Sequence, residues 1–303
     1  MNNSKLEIKI IDDINQGKII WNKLSPQKSL YDEWSFRFCF YRQKNFPIRF
    51  LVGKYKNEII GLLPLQLNTE KGYLEFFGGE YMDNNKVFIC SGFENYTQQF
   101  YQAVTEKAFL NNLYGDCDFI KKQAVDHYLY ILTLNNIKNH EDYIEKYFKG
   151  SSEHRRELRR GLKKVSENNI KTIKNNFNDI EFLFKYKIKR FGINSCFNDQ
   201  SEKQNFINLL KLKYDFYLFT YIVNKIKVGI SLSVLYQQKY MFLETASDIK
   251  LYPNIGKYIT MNNIDRAIQL DAKIFDLSHG GESWKEKWNF EKIPQYSFKN
   301  YKE

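Results

Sequence analysis

The chain has 303 residues, enough for two ordinary domains, and with 43% hydrophobic and 17% aromatic residues it can fill a core in each. No apolar run approaches the ~20 residues that cross a bilayer, and Met1-Asn2-Asn3-Ser4-Lys5 lacks an apolar signal core, so a soluble cytoplasmic protein is expected. The formal charge of +11 invites phosphates, anionic surfaces or nucleic acid as partners, yet Lys abounds together with Asn, Ile, Tyr and Phe, a set that AT-rich coding favours whatever the function.

In chain order, a short strand is predicted at Leu6-Ile10, then helices near Ile14-Leu24 and Leu30-Gln43. An antiparallel meander follows from Arg49 to Leu65, with a polar turn at Lys56-Asn57 and a third strand at Tyr73-Phe77. Phe100, Val104, Ala108 and Leu113 recur at near-helical spacing within 96–113, and Asp118-Ile120 and Tyr128-Leu134 alternate as strands do. Beyond these, helices are predicted at Glu141-Phe148 and Glu153-Glu167, a strand at Ile170-Ile173, and helices around Ile180-Arg190 and Lys203-Lys213. A second meander runs from Tyr217 through Asn224-Lys225 to Thr245, then a helix over Ile255-Leu270 and a strand at Lys273-Leu277.

The order of elements is met twice. Arg49 to Leu65 can be laid over Tyr217 to Ser233, about 170 residues further on, so that Gly61 falls on Gly229. A long period with two copies argues for a duplicated domain: an α+β pattern in each half, helices on a mixed, mostly antiparallel sheet. The boundary is expected near Lys149-Gly150-Ser151-Ser152, giving domains 1–149 and 150–303, with a serine there as N-cap of the next helix. Cys39, Cys90, Cys117 and Cys196 show no Cys-x-x-Cys spacing, which predicts free, mostly buried thiols and no structural metal.

Two stretches carry chemistry. The turn Leu251-Tyr252-Pro253-Asn254-Ile255-Gly256-Lys257 places a helix start after a strand, where backbone N–H groups and the dipole favour a pyrophosphate; the alternative is a Pro-Asn turn that merely starts a helix. The helix from Glu153 sets Arg155, Arg156, Arg159 and Arg160 ahead of Lys163 and Lys164, with Leu158, Leu162 and Val165 as its inward stripe; it reads either as a phosphate grip or as a solvated face tempered by Glu153 and Glu157.

The tail, Ile274-Phe275-Asp276-Leu277-Ser278-His279-Gly280-Gly281-Glu282-Ser283-Trp284-Lys285-Glu286-Lys287-Trp288, resembles the closing motif of the FemAB-like and CelD-like acetyltransferases of the GNAT superfamily. Trp21-Asn22-Lys23-Leu24 with Trp34 resembles that group's opening helices, Phe76-Phe77-Gly78-Gly79-Glu80-Tyr81-Met82-Asp83 its glycine step, and Ser152-Glu153-His154-Arg155-Arg156-Glu157-Leu158-Arg159-Arg160 its Ser/Arg-rich helix. The resemblance implies two tandem GNAT-like domains, the second taking an acyl-coenzyme A (most simply acetyl) or an aminoacyl-tRNA as donor, the first structural or on the acceptor side. Asn254, Ile255, Gly256 and Lys257 become the donor seat, although the single glycine departs from the usual pattern. Arg155, Arg156, Arg159, Asp276, Trp284 and Lys285 become substrate contacts, Lys285 reaching a phosphate or acceptor with Trp284 packed beside it.

Transfer to an amine needs one base at most. His279 and Glu244 are the candidates, with Asp248 nearby and a water relay as the remaining option. The expected activity is N-acyl transfer to a primary amine, on an amino sugar or another cell-envelope or polysaccharide precursor. The rivals are aminoacyl transfer from tRNA and, from another class, a non-catalytic module for RNA or an anionic surface. Aromatics interleaved with the Arg cluster would favour RNA, and none stands between Ser151 and Lys174.

Overall fold

The computed structural model describes residues 5–42, 45–146, 148, 151–280 and 282–302. Its chain divides into two compact units, Met1–Tyr128 with Pro294–Glu303, and Leu129–Ile293. Of the boundary expected near Lys149-Gly150-Ser151-Ser152, Lys149 and Gly150 fall outside the described residues, and Ser151 and Ser152 open the helix Ser152–Ser166. The division lies upstream of it because the end of the strand Ala124–Thr133 pairs with residues of the second unit, Ile131 opposite Asp276 and Thr133 opposite Ile274.

In the first unit the chain forms β1 (Glu7–Ile11), α1 (Ile14–Leu24), α2 (Trp34–Phe38), β2 (Phe50–Tyr55), β3 (Glu58–Leu63), β4 (Leu65–Asn68), β5 (Tyr73–Phe76), β6 (Phe88–Ile89), α3 (Thr97–Gln102), β7 (Phe109–Leu113), α4 (Asp118–Lys121) and the start of β8 (Ala124–Thr133). One sheet has the order β1-β2-β3-β6. Alternation along β2 sends Phe50 and Val52 into a cluster with Trp21 and Trp34, and Leu51 into one with Phe100 and Tyr101 on the other face.

In the second unit come α5 (His140–Lys146), α6 (Ser152–Ser166), β9 (Lys171–Lys174), α7 (Ile180–Phe191), α8 (Gln200–Leu209), β10 (Asp215–Val223), β11 (Ile226–Tyr236), β12 (Lys239–Ser247), α9 (Ile255–Gln269), β13 (Ile274–Asp276) and α10 (Glu282–Lys285). The sheet runs β8-β13-β12-β11-β10-β9, with β12 and β13 parallel and the other pairs antiparallel. A last strand, β14 (Glu291–Lys299), which the sequence pattern does not announce, ends in the first unit, where Tyr296 and Phe298 pair with Leu113 and Leu110 of β7.

The internal repeat holds in atomic detail. Gly53 stands opposite Gly61 in β2-β3, and Tyr221 opposite Gly229 in β10-β11. Both hairpins shift register one residue later, after Gly53 and after Tyr221, as a β-bulge does. Each turns through two left-handed residues, Lys56-Asn57 (φ 49° and 65°) and Asn224-Lys225 (φ 48° and 65°), the twist that suits a tight hairpin. Each second-strand glycine lies under a helix side chain. A Cβ on Gly61 would come within 2.4 Å of the Phe100 ring on α3, and one on Gly229 within 2.5 Å of Ile259 Cδ1 on α9.

Gly61→Ala should therefore destabilise the first unit by about 1–3 kcal/mol, since a phenyl ring held also by Gly53 cannot retreat as an isoleucine tip can. Urea unfolding checks this, and Gly229→Ala should cost less.

Several expected elements differ. Residues 73–76 do not extend the first meander. Pro64 has no N–H for the ladder and ends β3, so β5 pairs with β4 in a separate hairpin, and β6 takes the place beside β3. The helix over 30–43 is broken after a 3-10 turn at Leu30–Asp32: the Asp32 carbonyl that would accept from Phe36 N–H accepts instead from Trp21 Nε1 (2.8 Å) and Ser25 Oγ (2.6 Å). The helix expected over 96–113 stops at Gln102, because pairing with β14 makes 109–113 a strand. Asp118–Lys121 is a helical turn rather than a strand. Of the cysteines, all free, Cys39, Cys90 and Cys117 are half-buried and Cys196 is exposed, so none is fully buried.

One carboxylate in the first unit is under stress. Asp116 accepts from Tyr101 OH (3.2 Å) and Val87 N–H (3.4 Å), but its covered Oδ1 has no donor among the described residues, and burial pushes its pKa up to about 6. A raised carboxyl pKa means that the folded state binds the proton more tightly. This contribution to stability is full below pH about 4 and is lost as pH rises through about 6. Asp116→Asn should gain about 1–2 kcal/mol at pH 7 and little at pH 4, as read from urea midpoints at the two pH values.

Candidate functional site

The sheet of the second unit opens where β12 parts from β13. Their parallel pairing is confined to Lys239–Ile274, Tyr240–Phe275 and Met241–Asp276, after which β12 runs on to Ser247 while the other chain turns away through left-handed Ser278 (φ 57°) and Gly280 (φ 75°). A bulge at Leu243 lies just beyond the parting, since Ser233 pairs with Phe242 and Leu232 with Glu244. One wall of the gap is thus the edge of β12 from Phe242, the other the loop Leu277–Gly280.

That loop is held from below. Lys285 is 4% exposed, and its Nζ donates to the carbonyls of Leu277 (2.7 Å), Ser278 (3.0 Å) and His279 (2.8 Å), lying 5.6 Å from the Tyr130 ring centroid. Three ammonium protons meet three carbonyls. Lys285 is therefore a strut under the loop, which corrects the expectation that it reaches a phosphate or an acceptor. Asp276, buried at the end of β13, accepts from Ser278 N–H (2.8 Å) and lies 3.5 Å from Lys239 Nζ, so it too braces the loop. Trp284 packs edge-on against Trp288 at 5.9 Å and keeps part of its ring in solvent. His279 is half-buried on the loop; Gly281 lies outside the described residues.

On the α7 side, Glu244 is bound by Lys187 (2.5 Å), and Asp248, just past β12, accepts from Tyr186 OH (3.1 Å) with Lys189 Nζ at 3.5 Å. Leu251 N–H, Tyr186 and Lys189 hold the Asp248 carboxyl below its ordinary range, while burial, then Asp248, push Tyr186 up to about 12. Glu244 is thus committed to an ion pair, which bears against a free base.

The turn into α9 contains Asn254 in a left-handed conformation (φ 70°), with no side-chain cap on the helix. Its amide packs on α6, where a Cβ on Gly161 would come within 2.9 Å of it. Ile255 is fully buried, so there only the backbone can meet a ligand, while Asn254 is half-buried. Gly256 differs from Gly161. A Cβ there would make only ordinary contacts, Ser247 Oγ at 3.6 Å being the nearest, so packing within the chain does not require a glycine. Lys257 is exposed.

The Asn254 contact brings the arginine helix α6 beside the start of α9. Ser151 caps α6 as expected, and Leu158, Gly161, Leu162 and Val165 form its buried stripe. Arg159, however, turns to α5, where it meets Glu141 (2.8 Å) and Glu145 (2.5 Å), which raise its pKa. It leaves the cation row, contrary to the expectation of a phosphate contact; Arg156 and Arg160 are exposed and Arg155 is half-exposed.

Beneath α9 lies a cluster that the motifs do not reveal. Asn263 donates to Ser231 Oγ (3.1 Å) and the Ile259 carbonyl (2.8 Å) and accepts from Tyr240 OH (2.8 Å) and Ser233 Oγ (3.2 Å). Asn263 interrupts the helix stripe Ile259, Asn263, Ala267, and Ser231 and Ser233 alternate on β11; a polar residue in an apolar stripe facing serines at strand period is the signal.

Among the described residues no group of three or more His, Cys, Asp and Glu side chains could hold a metal, and no helix is long and apolar enough to cross a membrane.

No family model matches the chain, and no curated protein matches it in sequence. Solved structures do resemble it. A tandem GNAT protein from the clavulanic acid biosynthesis pathway aligns over 99% of this chain and 100% of its own, with TM-score 0.58 and 7% identity. FemX aligns over 96% of this chain and 97% of its own (TM-score 0.57, 11% identity), and L-PGS from Bacillus licheniformis over 96% and 93% (TM-score 0.55, 10% identity). At such identities the likeness speaks for architecture alone. With the hairpin, bulge and glycine met twice, that architecture is a pair of tandem GNAT-like domains.

Proposed function

We propose that the chain is an N-acyltransferase acting in the cytoplasm, that its second domain moves an acyl group, most simply acetyl, from a coenzyme A thioester to a primary amine, and that its first domain is structural or serves the acceptor. The observation that carries this reading is the parting of β12 from β13 beside the start of α9. A strand edge without a strand partner offers backbone groups to a thioester arm, and the N–H groups of Gly256 and Lys257 offer a seat for its pyrophosphate. Gly256, not needed by internal packing, lets a phosphate approach the backbone. His279, on the opposite wall, is the base in this scheme, with Glu244 second because Lys187 holds it. Asp276 and Lys285 keep the His279 loop in place, Trp284 borders it, and Arg155 and Arg156 add positive potential from α6.

The likeness to a protein titled as a tandem GNAT, and to FemX and L-PGS, supports transfer of an acyl or aminoacyl group. The exposed cations Arg156, Arg160, Lys163 and Lys164 favour a second reading, aminoacyl transfer from tRNA, while the capture of Arg159 by glutamates weakens it. An amino sugar or another cell-envelope precursor is the proposed acceptor.

Calorimetric titration with acetyl-coenzyme A and, separately, with bulk tRNA tests the proposal. Saturable, salt-tolerant binding of the thioester, weakened at least tenfold by Gly256→Gln at unchanged thermal stability, is the expected result. Binding of tRNA alone, with a steep salt dependence, would replace the coenzyme A reading by the second one.

A further inference from the structure

The end of α7 and the turn after β12 share one surface, because Tyr186 and Lys189 of α7 both reach Asp248. Four large apolar side chains stand out from it: Ile193 (96% exposed), Leu251 (58%), Ile249 (51%) and Phe191 (47%). They stand on ordered turns. Gly192, with φ 57°, ends α7, and its carbonyl accepts from Asn198 Nδ2 (2.7 Å) and Ser195 N–H (3.1 Å); Asp248 accepts from Leu251 N–H (3.0 Å). Single exposed apolar residues need no explanation, but neighbouring ones on two braced turns do. Cations surround them. Lys189 has 72% of its side chain exposed, with Asp248 at 3.5 Å from its Nζ, and Arg190 and Lys250 are exposed; Glu244 holds Lys187, and the exposed Asp199, next to Asn198, is the acid on the Gly192 side.

We propose that this surface docks on an anionic lipid bilayer, Ile193, Ile249 and Leu251 entering the headgroup layer while Lys189, Arg190 and Lys250 meet lipid phosphates. Aliphatic tips ringed by cations are the chemistry of an interfacial anchor. RNA would ask for open aromatic faces, and Phe191, the ring among these four apolar side chains, lies under Lys187 (5.7 Å) and Arg190 (5.2 Å). The proposal is independent of the transferase reading.

Flotation of the full chain with vesicles of mixed phosphatidylglycerol and phosphatidylcholine, and with phosphatidylcholine alone, tests it. The expected result is binding to the anionic vesicles only. Ile193→Asp with Leu251→Asp should lower the partition coefficient at least tenfold, and Lys189→Gln with Arg190→Gln and Lys250→Gln about tenfold, the latter loss shrinking as salt rises. Both variants replace exposed side chains and should keep the wild-type melting temperature. The proposal is overturned if the wild type ignores anionic vesicles, if both variants bind as it does, if the same residues are needed instead for binding bulk tRNA, or if the aspartates merely turn a dimer into a monomer.

Discussion

Arg37→Met should be the most damaging single change in the first unit, costing about 3–5 kcal/mol of stability. The Arg37 side chain is fully buried, and its guanidinium donates to the carbonyls of Tyr31 (2.5 Å), Phe77 (2.9 Å) and Asn84 (3.1 Å). Burial pulls its pKa down to about 10, against the pull of Asp32, and its Cζ stands 5.5 Å from the Trp21 ring centroid. Methionine would fill much of the volume but leave three carbonyls without a donor. Asp32 would keep Lys86, at 2.9 Å, as its partner, which limits the loss. Urea denaturation followed by tryptophan fluorescence would show it, because Trp21 and Trp34 belong to the same cluster. A variant within about 1 kcal/mol of wild type would mean that water can replace the guanidinium.

Lys285→Met should cost the second unit about 3 kcal/mol, since it strips the same kind of donor from Leu277, Ser278 and His279. The global loss should come with a local one. Ser278 N–H, held by Asp276, and Leu277 N–H, held by the Tyr130 carbonyl, should exchange with solvent deuterium far faster than amides of β11, and Lys285→Gln, which retains two N–H donors, should restore part of the protection. If the variant keeps wild-type exchange at Ser278, the loop does not depend on the lysine. Under the transferase reading, kcat should fall with the protection while donor affinity at the start of α9 changes little.

The hairpins were legible from the sequence because their determinants are local: polar pairs that accept positive φ, alternation, and a glycine at the same offset. Helices α1, α6, α7 and α9 were legible through apolar spacing and, for α6, the Ser151 cap. What failed depended on partners distant in sequence. Nothing local marks 109–113 as a strand until β14 lies beside it, and nothing local breaks the helix after Asp32 until Trp21 and Ser25 claim its carbonyl. At the site, the sequence Trp-Lys does not say whether an ammonium faces a ligand or the backbone of its own chain, and Lys285 faces the backbone. The arginine row says as little of Arg159, whose partners Glu141 and Glu145 sit on another helix.

The first unit draws its last strand from Pro294–Glu303, whereas the second is one continuous stretch. During synthesis the unit that emerges first must wait, with the β7 edge uncovered, until residues 294–303 have been made, and the unit that emerges later can close before it. A nascent chain stalled before residue 294 should therefore hold a protease-resistant second half beside a digestible first half, the reverse of the usual vectorial order.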